Sequence, residues 1–566
     1  MPSPWALNLP AMQVLVSYRS AGDGVALALD AFLAERRPVY IVGGAVRDHL
    51  LGISTIPGWS RSALDGHPYD ADGTHSQSQI TTSTTDLDLV LGGPVLPLAR
   101  SVADRLGWAY YPLDEKRDVA RLIGKDVDGQ RIECDAAALR GDLRSDLLAR
   151  DFSSNALALK LTADSSPQLI DECGGVADVA SRTLRRISHG SLRDDPIRLL
   201  RAVRLSAQLG FAIESGTRKQ ISELAGTVSA VSAERLRQEM WKLLDCTRPD
   251  NGVRELDALG LLTPLLPEVK ALKGVEQSPR HHLDAYEHSL LAARYAAELR
   301  TWLRGGPPTG DSTLAQSLEP WAEGLRSHFC KDIAAGHDRG GWLVWHALLH
   351  DTGKANISGV DIGSGCGRQA VAGHQEVSAE IAGSRVASFR FSTREILLAE
   401  SVARMHSVPR RLVKALPRDR ERIGPRAAFR FFRDAGSVVA GHQFVHGLGS
   451  GGAQQPLDGL DVTLQAVSDM QATGLERGDG WGRFLKAVEG LFCYALSRSA
   501  EHLTASLVDG HRLMDHLGLE PGPIVGTVLG ELAEAQASGT INNVDEALKL
   551  AEDLIAGDAD QAETGA

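Results

Sequence analysis

The chain has 566 residues, of which 43% are hydrophobic and 23% charged, and its formal net charge is −12. At about 150 residues per domain, this length predicts three or four domains rather than one. The acidic total excludes a uniformly basic protein that coats nucleic acid regardless of sequence, but it is compatible with a local basic track.

The distribution of apolar residues and cysteines excludes further classes of protein. No run approaches the roughly eighteen consecutive apolar residues of a membrane span, and the charged start of a signal peptide is missing before Arg19. The six cysteines are scattered without a CxxC pair, which argues against a disulfide framework or a cysteine zinc site. We therefore expect a soluble cytoplasmic protein that makes no contact with a membrane.

In chain order, the first 165 residues alternate between helical and strand patterns. Helices are predicted over 22–36 and 45–51, and strands over 38–42, 85–91, 119–123, 130–134 and 157–161. Residues 53–84 are rich in Ser, Thr, Gly and His, which indicates a flexible insertion. These patterns predict a mixed α/β head domain over residues 1–165.

From Val176 onward, strand patterns almost vanish and helical periodicity dominates. The first predicted helices cover 196–209, 217–224 and 233–244. The predicted fold class is α+β, with the mixed α/β head followed by an elongated all-α part. Its expected divisions are a neck over 166–270, a body over 271–446, a tail over 457–556 and a disordered terminus over 557–566.

A predicted strand-to-helix turn carries the sequence Ile41-Val-Gly-Gly-Ala-Val-Arg-Asp48. Two glycines at such a turn let backbone N–H groups approach an anion, and the helix N-terminus favours negative charge. Arg47 would then be placed to contact a phosphate. The same pattern is also typical of an ordinary strand-to-helix connection, so alone it leaves both interpretations open.

A pair of carboxylates, Asp86 and Asp88, lies on a predicted strand with Leu87 between them. The two-residue period of a strand puts both acids on one face. Paired carboxylates hold Mg²⁺ together with substrate phosphates, and two such ions stabilise the oxygens of an in-line phosphoryl transfer. Asp135, on a later predicted strand, is a candidate third ligand. An exposed turn with two solvated acids is the alternative.

Further motifs follow these two in order along the chain. They are Leu139-Arg-Gly, Asp146-Leu-Leu-Ala-Arg-Asp-Phe-Ser-Ser-Asn-Ala156, Asp171-Glu-Cys-Gly-Gly-Val-Ala-Asp178, Asp194-Asp-Pro-Ile-Arg-Leu-Leu-Arg-Ala-Val-Arg204 and Ser232-Ala-Glu-Arg235 with Glu239. Together the motifs resemble the class II tRNA nucleotidyltransferase and poly(A) polymerase family. The resemblance implies Mg²⁺-dependent transfer of CMP or AMP from CTP or ATP to the 3′ end of tRNA, as CCA addition or part of it.

The resemblance also implies a role for each matched residue. The metals would be coordinated by Asp86 and Asp88, and the triphosphate would be held by Gly43, Gly44 and Arg47. Ribose and phosphates would be contacted by Arg150, Asp151 and Asn155. The base would be bound by Asp195 and Arg198, with Arg201 and Arg204 on the same element. Positions i and i+3 share a helix face, so Asp195 and Arg198 on one helix could pair with a base edge or form a surface salt bridge. Ala149 and Asp194 depart from the family pattern, which leaves nucleotide specificity open.

A second constellation of histidines lies in the helical part and resembles an HD domain, a metal-dependent phosphohydrolase fold. It comprises His281-His-Leu-Asp-Ala-Tyr-Glu-His288, His346-Ala-Leu-Leu-His-Asp-Thr-Gly-Lys354, His374 and His406. The resemblance implies that His288, His350, Asp351 and a later Asp hold a second divalent metal. The segment Gly441–Gly447 has no Asp where we expect that last ligand. We therefore favour a structural or RNA-contacting body over a working phosphohydrolase.

Two stretches of the chain are basic despite the acidic total. Residues 182–245 hold 12 Lys or Arg against 7 Asp or Glu, and residues 385–433 hold 13 against 4. These charges suit a tRNA backbone, with Arg410 and Arg411 as candidate contacts, although solvated helix faces would look the same.

Three other functions are weighed against tRNA nucleotide addition. The first is a poly(A) polymerase, which shares every motif above. The second is an HD phosphohydrolase whose head only binds nucleotide, and the third is a catalytically silent RNA-binding protein. The third is disfavoured by five intact residues, which are Asp86, Asp88, Arg150, Asp151 and Asp195. The sequence leaves the oligomeric state open.

Overall fold

The computed structural model divides the chain into two compact units, Met1–Ala230 and Val231–Ala566. The residues that it describes are 24–35, 38–56, 82–83, 86–126, 129, 131–162, 165–277, 283–308, 312–357, 373–437, 458–474, 479–497 and 506–563. Most of the insertion predicted over 53–84 lies outside the described residues, as does the segment Gly441–Gly447.

A seven-stranded sheet forms the centre of the first unit, in the order β5-β6-β7-β4-β1-β8-β9. The strands of this unit are β1 (Val39–Val42), β2 (Ser54–Thr55), β3 (Thr82–Ser83), β4 (Asp86–Leu91), β5 (Ala109–Asp114), β6 (Val119–Lys125), β7 (Arg131–Ala138), β8 (Leu157–Thr162), β9 (Ser165–Asp171), β10 (Thr183–Leu184) and β11 (Ala212–Ile213). Within the large sheet, β4 and β7 are parallel and the other neighbours are antiparallel. The mixed α/β head that the sequence predicts is confirmed.

Eight α-helices of this unit lie in the described residues, beside two short 3-10 helices at Ser153–Asn155 and Ala225–Ala230. The α-helices are α1 (Gly24–Leu33), α2 (Gly44–Leu51), α3 (Leu96–Leu106), α4 (Leu143–Leu148), α5 (Gly175–Ala180), α6 (His189–Asp194), α7 (Ile197–Leu209) and α8 (Ser215–Leu224). α2 follows β1 directly, and its buried Ala45, Val46 and Leu50 anchor the strand-to-helix turn. That anchoring fixes the turn beside the centre of the sheet.

Three details differ from the sequence-based prediction. The β8–β9 hairpin crosses residue 165, so the head sheet extends to Asp171 rather than ending at the predicted boundary. The neck is not entirely helical, because β10 and β11 pair in parallel over two residues each. Within the predicted insertion, β2 and β3 also form a short parallel pair.

The described part of the second unit is almost entirely helical. Its first helices are α9 (Ala233–Leu244), α10 (Pro249–Ala258), α11 (Leu262–Leu265), α12 (Pro267–Lys270), α13 (Ala285–Leu303), α14 (Ser312–Leu318), α15 (Ala322–Phe329), α16 (Arg339–Leu349) and α17 (Lys354–Ile357). They are followed by α18 (His374–Ser388), α19 (Thr393–Met405), α20 (Val408–Ala415), α21 (Pro425–Ser437), α22 (Asp458–Ala472) and α23 (Asp479–Leu496), with a short strand pair at Asp332–Ala334 and His337–Asp338.

Two buried helices, α16 and α22, form the core of this unit with α13. Trp342 and Trp345 of α16 are fully buried, and every residue of α22 is buried. Helices that are buried all round can carry polar side chains only where partners satisfy them. The polar residues of α16 and α22 therefore mark sites of specific interaction.

Three helices close the chain: Gly510–Leu517, Pro523–Ala537 and Val544–Glu563. They share a small apolar core around Leu513, Ala547 and Ala551. The last helix runs to Glu563, so it continues into the terminus that the sequence predicts to be disordered. No helix in the described part of the chain is long and apolar enough to cross a membrane.

Candidate active site and candidate metal centre

The central strand β4 presents both predicted metal ligands on one face. Asp86 and Asp88 are exposed, whereas Leu87 and Leu89 are buried, as the two-residue period predicts. Protein surrounds Asp88 on its other sides, and this desolvation raises the pKa of its carboxyl; Arg150 opposes the rise and Asp135 adds to it. Two accessible oxygen donors beside a cation fit a Mg²⁺ ion that arrives with a nucleotide.

Asp135 lies opposite Asp88 on the neighbouring parallel strand β7, as expected for a third acid. Its carboxylate, however, is held by Arg121 of β6, with Nε 2.7 Å from Oδ1 and Nη2 2.8 Å from Oδ2. Arg121 also lies 3.1 Å from Glu133. A bidentate guanidinium pair fixes the orientation of a carboxylate, so Arg121 positions Asp135 beside the two strand carboxylates.

The glycine turn comes close to these carboxylates. Gly43 has a φ of 77°, which an L side chain rarely adopts. A Cβ atom at this position would lie 3.1 Å from Nη1 of Arg150 and 3.5 Å from Oδ2 of Asp88. The turn, Arg150 and Asp88 therefore line one recess, and a side chain at Gly43 would fill it.

Arg47, predicted to hold a phosphate, is buried and bound within the protein. Its Nη1 lies 2.5 Å from Oδ1 of Asn155, and its Nε lies 2.7 Å from Oδ1 of Asp48. Asn155 in turn donates to Oδ1 of Asp151 at 3.0 Å. Arg47 and Asn155 thus brace the turn.

Asp151 is buried and both its oxygens have protein partners. Oδ2 accepts from Nε of Arg201 at 2.9 Å, and Oδ1 accepts from the backbone N–H of Phe152 at 2.8 Å. Burial raises the pKa of Asp151, but Arg201 and these hydrogen bonds outweigh it, so the net pKa is lowered. Asp151 is therefore ionised and anchors Arg201.

Arg150 has unused hydrogen-bonding capacity in the same recess. Its Nη2 lies 3.3 Å from Asp146, while its buried Nε has no hydrogen-bond partner. A buried unpaired donor of a cation is costly unless an anion completes it. Arg150 is thus the described side chain best placed to receive a phosphate beside Asp88.

The helix argument for Asp195 and Arg198 is wrong. Asp195 is extended, with φ −146° and ψ 96°, because it precedes Pro196 at the start of α7. Arg198 lies on α7, and its guanidinium donates to the carbonyls of Ala149 at 2.8 Å and Ser191 at 3.0 Å. Asp195 is therefore not itself helical, although its carbonyl oxygen accepts from the backbone N–H of Arg198 at 3.0 Å.

Arg204, on the same helix α7, is buried, and its Nη1 donates to Gln208 at 2.8 Å. This hydrogen bond joins two side chains one turn apart on α7 and so stabilises the helix. Arg410 and Arg411 lie on α20 in the second unit, where Arg411 is exposed and Arg410 half-buried.

The second predicted site is brought together in the second unit. His288 lies on α13, while His350 and Asp351 follow α16 directly, and donor atoms of all three lie within 4.8 Å of one another. All three residues are buried. His281 and His282 of the same motif lie outside the described residues.

The sequence-based prediction names no later aspartate, but the structure brings Asp469 of α22 beside these histidines. Oδ1 of Asp469 lies 2.8 Å from Nε2 of His288 and 3.7 Å from Nε2 of His350. Burial would raise the pKa of Asp469, but the two imidazoles lower it well below its usual value. The signal in the sequence is a polar stripe, Asp461, Gln465 and Asp469, at four-residue spacing along one face of this helix.

His374 and His406 extend the cluster on the other side of Asp351. His374 begins α18 and His406 follows α19, and donor atoms of both lie within 4.8 Å of a carboxylate oxygen of Asp351. The turn after Asp351 is held tightly, because a Cβ at Gly353 would lie 2.5 Å from the carbonyl oxygen of His374. The sequence showed these histidines but gave no reason to assign them as ligands.

The donors of this cluster fit a metal ion. Nε2 of His350 and Oδ1 of Asp351 are buried without a hydrogen-bond partner. Burial alone would lower the pKa of His350, but Asp351 and Asp469 outweigh it and raise the pKa to about 10. Buried polar atoms without partners call for a bound group, and imidazole with carboxylate suits a divalent transition metal.

Two family models match the chain. Residues 39–185 match the poly A polymerase head domain, and residues 210–273 match the probable RNA and SrmB-binding site of polymerase A. The first match contains the β4 carboxylates and the glycine turn. It ends before α7.

Curated relatives match over most of the chain. The A-adding tRNA nucleotidyltransferase of Deinococcus radiodurans is 28% identical over 513 residues, covering 90% of this chain and 93% of the relative. The CC-adding tRNA nucleotidyltransferase of Thermus thermophilus is 30% identical over 516 residues, covering 90% and 92%. The multifunctional CCA protein of Vibrio parahaemolyticus is 34% identical over 276 residues, covering 47% of this chain and 60% of that protein.

Solved structures share the fold. A CCA-adding enzyme in its apo form I superposes with a TM-score of 0.52 at 19% identity, covering 94% of this chain and 93% of that one. A CCA-adding enzyme in complex with ATP gives a TM-score of 0.53 at 19% identity, covering 94% of each chain. At this identity the likeness concerns the fold alone.

The sheet with paired carboxylates and the matching head model define a nucleotidyltransferase. The chain belongs to the class II tRNA nucleotidyltransferase family, because the Thermus thermophilus relative is 30% identical over 90% of this chain. The protein is therefore an enzyme, a nucleotidyltransferase.

Proposed function

We propose that the first unit uses two Mg²⁺ ions at Asp86 and Asp88 to transfer CMP or AMP from CTP or ATP to the 3′ end of tRNA. The observation that carries this proposal is the convergence of three features. Both carboxylates stand exposed on one face of β4, Gly43 leaves open space beside Asp88, and Arg150 offers an unpaired buried donor there. A carboxylate pair, a glycine turn beside it and a cationic donor with an unpaired N–H are features that a metal-bound triphosphate requires.

In this proposal the tRNA 3′-hydroxyl attacks the α-phosphate and pyrophosphate leaves. Mg²⁺, when bound, neutralises the charge that builds up on the phosphate oxygens. Arg150 binds the phosphates, and Arg121 keeps Asp135 oriented toward Asp88. Arg47 and Asn155 hold the turn in place rather than contacting the substrate directly. Positioning of the reactants then supplies much of the rate enhancement.

The relatives do not agree on which nucleotides are added: one that covers 90% of the chain is A-adding, and another with the same coverage is CC-adding. We propose addition of CCA or part of it. The test offers tRNAs that end before the first C, after C and after CC, each with CTP or ATP alone. Extension of only the CC-ending tRNA identifies A addition, and extension that stops at CC identifies CC addition. Unlimited addition of A would contradict the proposal in favour of a poly(A) polymerase.

For tRNA binding, we propose that α20 contributes through Arg410 and Arg411. The helix is half-exposed along its length, with only Pro409 buried, and it lies in the basic stretch 385–433. Charge reversal of both arginines should weaken tRNA binding and flatten its dependence on salt, because fewer counterions are released. The matched control is Arg100→Glu, on an exposed helix face of the first unit. Equal weakening by the control would contradict a specific contact.

We further propose a divalent ion in the second unit, held by His288, His350, Asp351 and Asp469. Asp469 carries this proposal, because its carboxylate lies 2.8 Å from His288 and supplies the later aspartate that the sequence-based prediction does not name. It also favours a second candidate function, hydrolysis of phosphate esters. The test is cleavage of bis(p-nitrophenyl) phosphate by the full chain loaded with Ni²⁺, Co²⁺ or Mn²⁺. Activity that is lost in His350→Ala supports a hydrolase, and absence of activity with every ion contradicts it.

We infer a cytoplasmic location. The substrates in this proposal, tRNA and nucleoside triphosphates, belong to that compartment. The five described cysteines are all free, which suits reducing surroundings. Fractionation with a cytoplasmic marker would test this inference, and recovery with the membrane fraction would contradict it.

A further inference from the structure

The last three helices carry most of the net negative charge of the chain. Residues 506–563, which we call the acidic module, hold 12 Asp or Glu against 2 Lys or Arg, a net charge of −10 within a chain total of −12. The apolar residues that form the core of this module all lie between Leu507 and Ile555. The acidic module therefore packs around a core of its own.

A polar contact joins the acidic module to α21. Arg430 donates twice to Glu534, since its Nε lies 2.7 Å from Oε2 and its Nη2 lies 2.6 Å from Oε1. Arg426 contacts the same carboxylate, and its Nη2 lies 3.2 Å from Oε2 of Glu531. Burial would raise the pKa of Glu534, but the hydrogen bonds from Arg430 and Arg426 outweigh it and lower the pKa. Glu534 is therefore ionised and neutralises positive charge on α21.

The two arginines belong to a row on α21. Arg426, Arg430 and Arg433 recur at spacings of four and three residues, which places them along one helix face. The row lies in the basic stretch 385–433. The three arginine side chains are 60%, 51% and 39% exposed, whereas the side chain of Glu534 is 3% exposed. Solvent thus reaches the row, although carboxylates of the acidic module pair with two of its three cations.

Such a row suits the phosphates of a nucleic acid. A guanidinium group forms paired hydrogen bonds with a phosphate as it does with a carboxylate, and successive phosphates of one strand favour several cations in a line. Ion pairs of partly exposed arginines contribute little net stability. A polyanion can therefore displace the glutamates from Arg426 and Arg430.

We propose that the acidic module competes with RNA for α21: Glu531 and Glu534 cover a phosphate-binding site at Arg426 and Arg430, and RNA binds there only when the module is released. This inference rests on the tRNA binding proposed above for the second unit and adds its regulation. The docked module lowers the apparent affinity for RNA in proportion to the fraction of molecules in which it is docked. Salt weakens the docked contact by screening.

The first test measures tRNA affinity of the full chain with Glu531→Gln and Glu534→Gln. The affinity should rise by about tenfold at low salt, because the competitor is lost. Wild type and variant should converge as salt rises, because salt also releases the module. The matched control, Glu552→Gln with Asp553→Asn, removes the same two charges from the module, where Glu552 contacts His516 at 2.8 Å. An equal gain in the control would contradict the proposal, since the total charge would then explain it.

Arginine variants assign the site. Arg426→Gln with Arg430→Gln should lower tRNA affinity by about tenfold in the Glu531 and Glu534 variant, where both cations are accessible, but hardly in the wild type. Circular dichroism verifies that each variant is folded. An equal loss in both backgrounds would overturn the competition. Unchanged affinity in the folded glutamate variant, beside a wild type that binds tRNA, would overturn this inference alone, whereas no tRNA binding by any variant would also overturn the proposed tRNA contact.

Discussion

The two candidate metal centres of this chain differ in how completely the folded protein brings the donor atoms together before any ion binds. In the first unit, Asp86 and Asp88 are exposed oxygen donors on a strand. In the second unit, His288, His350 and Asp351 are buried and already within ligand distance of one another. An exposed pair of carboxylates binds an ion weakly until a substrate completes the coordination. A buried set with imidazoles binds without a substrate.

This difference teaches how one chain can separate two uses of metal. In the functions proposed above, the strand carboxylates hold an ion that arrives and leaves with each nucleotide. The helical cluster holds an ion that stays bound. Four predictions test this comparison.

The largest effect is expected at the strand carboxylates. Asp86→Ala should reduce nucleotide incorporation into tRNA by about 10³-fold or more, because it removes a ligand that acts on the transition state. Incorporation of labelled nucleotide from CTP or ATP measures the loss. Glu133→Gln is the matched control, since Glu133 lies opposite Asp86 on β7 and contacts Arg121. Normal incorporation by Asp86→Ala would refute the assignment.

In the helical cluster, Asp469→Asn should lower the affinity for Co²⁺ by about 100-fold, since it removes a charged ligand without changing volume. Metal competition with a chromophoric chelator measures the affinity. Incorporation of nucleotide should stay unchanged, because the strand carboxylates are intact. If the variant lost incorporation and kept its metal affinity, the separation of the two centres would be wrong.

A smaller effect is expected where one arginine orients a carboxylate. Arg121→Ala releases Asp135 from its two hydrogen bonds and should raise the Mg²⁺ concentration required for half-maximal incorporation by about tenfold. Arg121→Lys should recover part of that loss, because it restores the charge without the bidentate geometry. An unchanged Mg²⁺ requirement would show that Asp135 has no role at the site.

The smallest effect concerns the scaffold and should touch neither centre. Glu214 caps α8 by accepting from the backbone N–H groups of Gly216 at 2.9 Å and Thr217 at 2.7 Å, and these bonds lower its pKa to about 2. Glu214→Ala should cost about 1 kcal/mol of unfolding free energy. The pKa of Glu214 is depressed in the folded state, so the extra stability of the wild type is fully present above about pH 4.3, the usual carboxyl value. It is lost as the pH falls toward 2. Denaturant unfolding of the wild type and the variant at pH 7 and pH 3 measures this difference in unfolding free energy.

Local patterns in the sequence predicted the head well. The two-residue period of β4 gave the orientation of both carboxylates, and the glycine pair gave the turn before α2. Single-strand patterns could not show that Arg121 of β6 would bind Asp135 of β7, because strand pairing brings together residues that are distant in sequence.

The errors have two physical causes. At Asp195 a helical period was extended across a residue that precedes proline, although that position disfavours helix. Asp469 belongs to a polar stripe on a helix face of α22, and such a stripe carries no local motif like those of the head. Asp469 lies 118 positions after Asp351 in the chain, and only packing of α22 against α13 and α16 makes them neighbours.

The residues proposed to hold the ion of the second unit come from segments spread between His288 and Asp469, so an ion bound there would act as a cross-link. It would fasten α13, α22 and the end of α16 to one point. A ligand present at about 100 times its dissociation constant stabilises the folded state by about 2.7 kcal/mol. Chelation would then loosen the second unit selectively, and protease would cut that unit before the sheet of the first.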